Sequence, residues 1–181
     1  IYTMKTDGTD LVNLTVSDSY EAVPSWSSDG SRIAYVSDQF GQYDIFTMKW
    51  DGTDRTRLTH FVGVDNLPQW SPKGSKIAYI STASGNYDIF VMDLDGSNQV
   101  NLSDNPAVDT YPVWSPDGLK IAFISNRSGA IGIYVMNADG SEQTQILSGP
   151  PDRWGLRWSH SGLKIAFAAN QDSNYDIWVV N

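Results

Sequence analysis

Short apolar runs separated by turns rich in Gly, Asp and Ser occur along the whole chain and predict β-strands throughout. The segments 77–80 and 87–92 are typical, because β-branched and aromatic residues dominate both of them. The Asp95-Gly96 pair follows the second segment, and Asp-Gly is a strong signal for a tight hairpin turn. No segment keeps a helical period over three turns, so the pattern predicts an all-β fold with almost no helix.

The pattern repeats with a constant step of 44 residues, without insertion or deletion. A Trp, an Asp-Gly pair and an Ile mark each repeat: Trp26, Trp70, Trp114 and Trp158; Asp7, Asp51, Asp95 and Asp139; Ile33, Ile77, Ile121 and Ile165. A period of about 40–45 residues built from short strands is typical of β-propeller blades, whose sheets bury their apolar faces on one another. We therefore predict a β-propeller of four-stranded antiparallel blades, with the four Trp side chains lying between blades as structural residues.

Each repeat predicts four strands, A to D, and the chain is expected to form one propeller domain or part of one. Strands C and D fall within residues 1–16, full blades cover about 20–60, 64–104 and 108–148, and strands A, B and C of a last blade cover 152–181. Unpaired strand edges favour association. Three arrangements stay open: a four-bladed ring closed by strand D near residues 11–15, a fragment of a ring of six to eight blades, or a homo-oligomer joined through terminal strands.

Composition and motifs argue against several function classes. The formal net charge of −9 leaves no basic surface for a phosphate backbone, and no apolar run approaches the roughly 20 residues of a membrane span. There is no Cys, and His60 and His160 lack metal-ligand spacing. No P-loop, dinucleotide-binding or nucleophile-elbow motif occurs. We expect no catalytic residues, no metal, no cofactor, no nucleic-acid partner and no membrane insertion.

Two segments carry a family resemblance. Residues 112–123, Pro-Val-Trp-Ser-Pro-Asp-Gly-Leu-Lys-Ile-Ala-Phe, and residues 87–97, Tyr-Asp-Ile-Phe-Val-Met-Asp-Leu-Asp-Gly-Ser, resemble the WD40-like PD40 repeats of TolB-type propellers. The resemblance extends over the whole chain, although Lys73, His160 and Ile131-Gly132 depart from the repeat pattern. It implies a periplasmic or exported bacterial protein that binds another protein through a propeller face.

The D–A and B–C loops differ from blade to blade, and in a propeller both sets lie on one face. Exposed aromatic residues beside carboxylates suit protein or peptide recognition, whereas the alternative is that these aromatics fill gaps between blades. The candidate partner-binding residues are Tyr20, Glu21, Phe61, Asp65, Asp109, Tyr111, Arg153 and Trp154.

Glu21, Asp65 and Asp109 stand at equivalent positions and could ring the mouth of the central channel. Arg153 occupies the fourth such position, so solvated rim charges are expected there rather than a cation site.

The leading hypothesis is a non-catalytic, TolB-like scaffold that binds a protein or peptide. Two alternatives stay open. The chain could be the accessory propeller of a larger prolyl-oligopeptidase-like serine peptidase, or it could bind a small molecule or glycan at the channel mouth.

Overall fold

The architecture is entirely β in a computed structural model that describes residues 1–149, 153–171 and 174–181. These residues contain no helix, and their strands follow the repeat. The strands are β1 (Tyr2–Thr3), β2 (Val12–Asn13), β3 (Glu21–Trp26), β4 (Arg32–Ser37), β5 (Asp44–Lys49), β6 (Thr56–Arg57), β7 (Asp65–Trp70), β8 (Ile77–Ser81), β9 (Asp88–Met92), β10 (Val100–Asn101), β11 (Asp109–Trp114), β12 (Lys120–Ser125), β13 (Gly132–Asn137), β14 (Thr144–Ser148), β15 (Arg153–Trp158), β16 (Ile165–Gln171) and β17 (Asn174–Val180).

Antiparallel pairing between successive strands divides the chain into blades. Blade 1 is β3-β4-β5-β6, blade 2 is β7-β8-β9-β10 and blade 3 is β11-β12-β13-β14. Blade 4 contains β15-β16-β17, and β1 and β2 form a two-stranded half-blade ahead of blade 1. The predicted β-propeller of four-stranded antiparallel blades is confirmed.

Strand A of each blade lies nearest the axis, because β3, β7, β11 and β15 contact one another in order. Each strand A contains a register shift, and its third residue adopts a left-handed backbone. Val23, Leu67 and Tyr111 have φ of 53°, 54° and 55°, a conformation that costs a non-glycine residue about 1–2 kcal/mol. Leu67 packs against the core between blades 2 and 3, so apolar burial offsets part of this cost.

The hydrophobic core lies between blades. One cluster joins Ile89 and Leu102 of blade 2 to Ile121 and Phe123 of blade 3, all of them buried. Similar clusters join blades 1 and 2, and blades 3 and 4. Since a single sheet cannot cover both of its own faces, stacking supplies the burial that stabilises each blade.

Three of the four repeated Trp residues occupy these junctions, as predicted. Trp70 is buried in the cluster between blades 1 and 2. The indole Nε1 atoms of Trp114 and Trp158 donate to the carbonyls of Gln69 and Val113 in the preceding blade, each at 3.2 Å. Trp26 differs, with 51% of its surface exposed, because β1 and β2 alone do not cover it.

The Asp-Gly turn between strands C and D approaches the preceding blade closely. Gly96 has φ of +84°, and a Cβ atom there would lie 2.6 Å from the carbonyl oxygen of Leu58. Gly52 and Gly140 repeat this approach toward Leu14 and Leu102 at 2.8 Å and 2.9 Å. Glycine is therefore required both for its backbone conformation and for its missing side chain.

The ends of the described structure are not joined to each other. Strand β2 pairs with β1 and not with β17, so ring closure through residues 11–15 is not what the structure shows. Ile177 is 76% exposed, whereas Ile45, Ile89 and Ile133 at the same position are fully buried. The other two predicted arrangements stay predictions.

Candidate functional site

Two sets of loops emerge at one end of the blades. The end of strand B pairs with the start of strand A and with the start of strand C, as in Asp65↔Ser81 and Ser81↔Asp88. The D–A loops (14–20, 58–64 and 102–108) and the B–C loops (38–43, 82–87 and 126–131) therefore share what we name the loop face. The A–B and C–D turns form the opposite turn face.

The Asp-Gly turns between strands C and D recur on the turn face, and their Asp residues have structural partners. The carboxylate of Asp95 accepts from the backbone nitrogen and the hydroxyl of Ser97, at 2.9 Å and 2.6 Å. Asp7, Asp51 and Asp139 make the same contacts with the hydroxyl residue two positions later. These hydrogen bonds hold the pKa of each turn carboxyl below its usual range. Local turn geometry explains the constant sequence of this face.

Two of the predicted aromatic residues, Tyr20 and Phe61, lie in loops of the loop face, whereas Tyr111 lies within strand A of blade 3 and not in a loop. Tyr20 is 59% exposed, Phe61 is 63% exposed and Tyr111 is 38% exposed. Arg153 and Trp154 begin β15, where their backbones pair with Ala169 and Ala168, and their side chains lie outside the described part of the structure. Exposed aromatic side chains of this kind suit recognition of another molecule.

Asp65 and Asp109 do not form an exposed ring of charges, so the prediction of solvated rim charges is wrong for both. They are 4% and 0% exposed, because the start of strand A lies between two blades. The hydroxyls of Ser81 and Thr59 bond to Asp65, and Oδ2 of Asp109 lies 2.7 Å from Nη2 of Arg127. Glu21 is only half-buried, and its Oε1 accepts from Ser17 Oγ at 2.6 Å.

Burial determines the electrostatics of these two carboxyls. It raises the pKa of Asp65 and of Asp109 above the usual value, and the nearby hydroxyls and guanidinium groups only partly offset it. Asp44, on the adjacent strand C, is also fully buried and lies 2.8 Å from Nη2 of Arg57. The acidic residues at blade junctions thus act as internal polar contacts and not as a binding surface.

Arg127 organises the polar contacts around Asp109 within blade 3. Besides Asp109, its guanidinium donates to Oγ of Ser125 at 3.0 Å and to Oε1 of Gln143 at 2.5 Å. Its Cζ lies 5.2 Å and 5.0 Å from the ring centroids of Phe123 and Tyr134. A partly buried guanidinium with several acceptors and aromatic faces fixes the geometry around Asp109.

The sequence contained a signal for this burial that single positions do not reveal. In the first two junctions, two Asp residues accompany two hydroxyl residues: Asp44, Thr59, Asp65 and Ser81; then Asp88, Ser103, Asp109 and Ser125. One repeat later all four positions change together, to Gly132, Leu147, Arg153 and Ala169. Joint replacement indicates that the four positions form one polar cluster in the first two junctions.

Sequence reasoning missed two aromatic residues of the B–C loop in blade 1. Phe40 is 59% exposed, and its ring lies 6.2 Å from Phe46 with the Arg57 guanidinium at 4.6 Å. Tyr43 is half-buried and meets Tyr20 edge to face at 5.9 Å. The available signal was that Ser84 and Ser128 stand where blade 1 has Phe40.

Side-chain amides join the two loop sets. Gln42 Nε2 donates to the carbonyl of Phe61 at 2.5 Å, and Gly63 N donates to Gln42 Oε1 at 3.4 Å. Asn86, the equivalent in blade 2, donates to the carbonyls of Asn105 and Ala107. The loop face is therefore ordered by its own hydrogen bonds in these two blades.

The residues that the structure describes include no group of three or more His, Asp or Glu side chains placed to hold a metal ion. They also include no helix suited to crossing a membrane.

The fold and the two unlike faces define an all-β propeller domain with constant turns and variable loops. The family model described as TolB beta propeller domain, PD40, matches residues 1–181, so the chain belongs to this family. A comparison with curated proteins gives no significant match.

Solved structures show the same architecture. TolB from Acinetobacter baumannii is 26% identical with a TM-score of 0.87, and the match covers 98% of this chain and 45% of that one. A protein assigned as TolB from Agrobacterium tumefaciens is 25% identical with a TM-score of 0.72, over 98% of this chain and 64% of that one. A puromycin-hydrolyzing peptidase of Mycobacterium tuberculosis shares the fold at 14% identity and a TM-score of 0.78, over 97% and 29% of the two chains. The chain thus spans less than two thirds of each of these relatives.

Proposed function

We propose that this chain is a non-catalytic scaffold that binds a protein or peptide through its loop face. The observation that carries the proposal is the set of exposed aromatic side chains on loops that vary between otherwise uniform blades. Aromatic residues supply large contact areas at a small entropic cost, and they are common among residues that dominate interface energies.

Membership of the TolB propeller family supports the same proposal. In keeping with the family resemblance, we propose a periplasmic or exported location for the protein.

The test replaces two exposed aromatics, Phe61 of the loop face and Tyr111 of strand A in blade 3. Phe61→Ala combined with Tyr111→Ala should lower the capture of partner proteins from an envelope extract of the source bacterium by at least about tenfold, the effect of about 1.4 kcal/mol. Capture is measured by quantitative mass spectrometry on immobilised protein.

The matched control is Trp50→Ala on the turn face, where Trp50 is 61% exposed and Ala138 is the equivalent residue of blade 3. This control should capture the same proteins as the unaltered chain. Unchanged capture by the loop-face variant would remove the basis of the proposal.

The likeness to a peptidase structure supports one second candidate, an accessory propeller of a larger serine peptidase. In that case the full reading frame would encode a hydrolase domain beside these blades. Sequencing the flanking gene region separates the two candidates, because a free-standing scaffold needs no such domain.

A further inference from the structure

Exposed apolar residues of the loop face are concentrated in one sector of blade 1. Tyr20, Phe40, Phe61 and Val62 are exposed by 59%, 59%, 63% and 93%, and we name them, with Tyr43, the blade-1 patch. The corresponding residues of the next repeat are Val64, Ser84, Asn105, Pro106 and Tyr87. Because the scaffold positions are the same in both blades, the fold itself does not require exposed aromatics here.

Hydrogen bonds hold the patch in place. Tyr20 N donates to Asp38 Oδ1 at 2.9 Å, and Asp65 N donates to the carbonyl of Tyr43 at 2.8 Å. Gln42 fixes the segment that carries Phe61, as described above. Binding to a surface already held in one conformation loses little entropy, so these aromatics are suited to act as anchors.

Charge is divided unequally between the two faces. Every lysine of the chain lies in or beside the turns of the turn face: Lys5, Lys49, Lys73, Lys76, Lys120 and Lys164. Asp18, Glu21 and Asp38 adjoin the blade-1 patch along the chain, and the nearby Arg57 is already paired with buried Asp44 at 2.8 Å. Arg55 donates to the carbonyls of Leu14 and Thr15, at the start of the loop that carries Tyr20. The patch is therefore apolar and rimmed by carboxylates.

We propose that the blade-1 patch binds a basic, partly apolar peptide segment of a partner protein, an inference that rests on the proposed function. Lysine or arginine heads of the partner pair with Asp18, Glu21 and Asp38. Their alkyl chains and neighbouring apolar residues lie on the rings of Tyr20, Phe40 and Phe61. The lysine-free loop face favours this charge and repels an acidic segment.

The experiment uses three fluorescent peptide probes of equal length, in which leucine alternates with lysine, glutamine or glutamate. Fluorescence anisotropy with the whole chain should show the lysine probe binding at least about tenfold more tightly than the glutamate probe. Added salt should weaken the lysine complex, since these charges are near solvent.

A variant built from the chain's own repeat tests the aromatic contribution. Tyr20→Val, Phe40→Ser and Phe61→Asn together install residues that blade 2 carries at Val64, Ser84 and Asn105. This variant should lose at least about tenfold in affinity for the lysine probe, while Trp50→Ala on the turn face should lose none. Circular dichroism shows whether the triple variant is folded. If it is not, the single variant Phe40→Ser takes its place in the binding measurement.

Equal binding of the lysine and glutamate probes, or unaltered binding by the triple variant, would overturn the inference. Its failure is separable from failure of the proposed function. If Phe61→Ala with Tyr111→Ala abolishes partner capture while the lysine probe shows no preference, the loop face still binds a partner, and the assigned peptide chemistry is wrong.

Discussion

Two kinds of carboxylate in this chain respond to their surroundings in opposite ways. On the turn face, the hydroxyl of Ser27 and the backbone of Ser31 donate to Asp29 and lower its pKa to about 2. At a blade junction, burial raises the pKa of Asp65 instead. An ionised aspartate on the turn face therefore stabilises the folded state, whereas an ionised aspartate buried at a blade junction destabilises it.

The pH dependence of stability should reveal this difference. Because the folded-state pKa of Asp65 is raised, its contribution is fully present below the ordinary value of 3.8 and is lost as the pH rises through the raised value. Asp65→Asn should therefore gain in Tm, relative to the unaltered chain, as the pH rises from about 4 to 7. Thermal unfolding followed by circular dichroism at several pH values measures the gain.

Asp29→Asn is the matched control with the opposite sign. The folded-state pKa of Asp29 is lowered, so its contribution is present above 3.8 and is lost as the pH falls toward about 2. Its replacement should lower Tm at neutral pH and have less effect in acid. A fall in the Tm of Asp65→Asn relative to the unaltered chain between pH 4 and 7 would contradict the assignment.

At the scale of strands and blades, one indole links each blade to the one before it. The Trp at the end of strand A contributes apolar area to the junction, and in Trp114 and Trp158 it also donates to a strand A carbonyl of the preceding blade. Trp26 has the same place in the repeat but is half exposed. The same Trp position of the repeat thus contributes differently to stability, depending on how fully the preceding strands cover it.

Replacing these indoles by phenylalanine should separate the two situations. Trp114→Phe removes the Nε1 bond and leaves unfilled volume, and it should lower the free energy of unfolding by about 1–3 kcal/mol. Trp26→Phe should change it by less than about 0.5 kcal/mol, as for most surface substitutions. Urea unfolding measures both values. Equal losses for the two variants would show that contacts at the blade junction do not determine the loss in the free energy of unfolding.

The repeat predicts the blades well because every blade places the same demands on its backbone. Strand order, turn positions and the buried Ile and Ala residues follow from the constant step. The burial of Asp65 and Asp109 was not predictable from residue type, because a carboxylate is ordinarily a surface group. Its compensation comes from Thr59, Ser81 and Arg127, which the fold brings together. Likewise, the blade-1 patch depends on exposure: the sequence predicted Tyr20 and Phe61 as candidates, whereas Phe40 was marked only by standing where other blades have serine.

For the whole molecule, stability should follow the number of neighbours that each blade has. In repeat architectures, stability is approximately a sum of terms within blades and between adjacent blades. Blades 2 and 3 are covered on both sides, whereas the outer face of blade 4 and the half-blade of β1 and β2 are open in the described structure. Local opening should therefore begin at the ends.

Hydrogen exchange offers a comparison between nearly identical segments. Residues 87–92 and 175–180 have similar sequences, but Ile89 is fully buried and Ile177 is 76% exposed. We expect backbone amides of β9 to exchange at least about a hundredfold more slowly than those of β17, a difference of roughly 3 kcal/mol in opening free energy. Mass spectrometry of peptic fragments measures the rates, and equal protection would mean that both faces are covered in solution.

The one-sided distribution of lysine has a practical consequence. Amine-reactive esters acting on lysine side chains can attach this domain to a sensor chip or bead only by its turn face. The opposite surface then points away from the support in every molecule attached through a lysine side chain. A biosensor made by that common coupling would thus present the blade-1 patch to solvent without an added tag, whereas coupling through carboxylates would attach the domain by both faces.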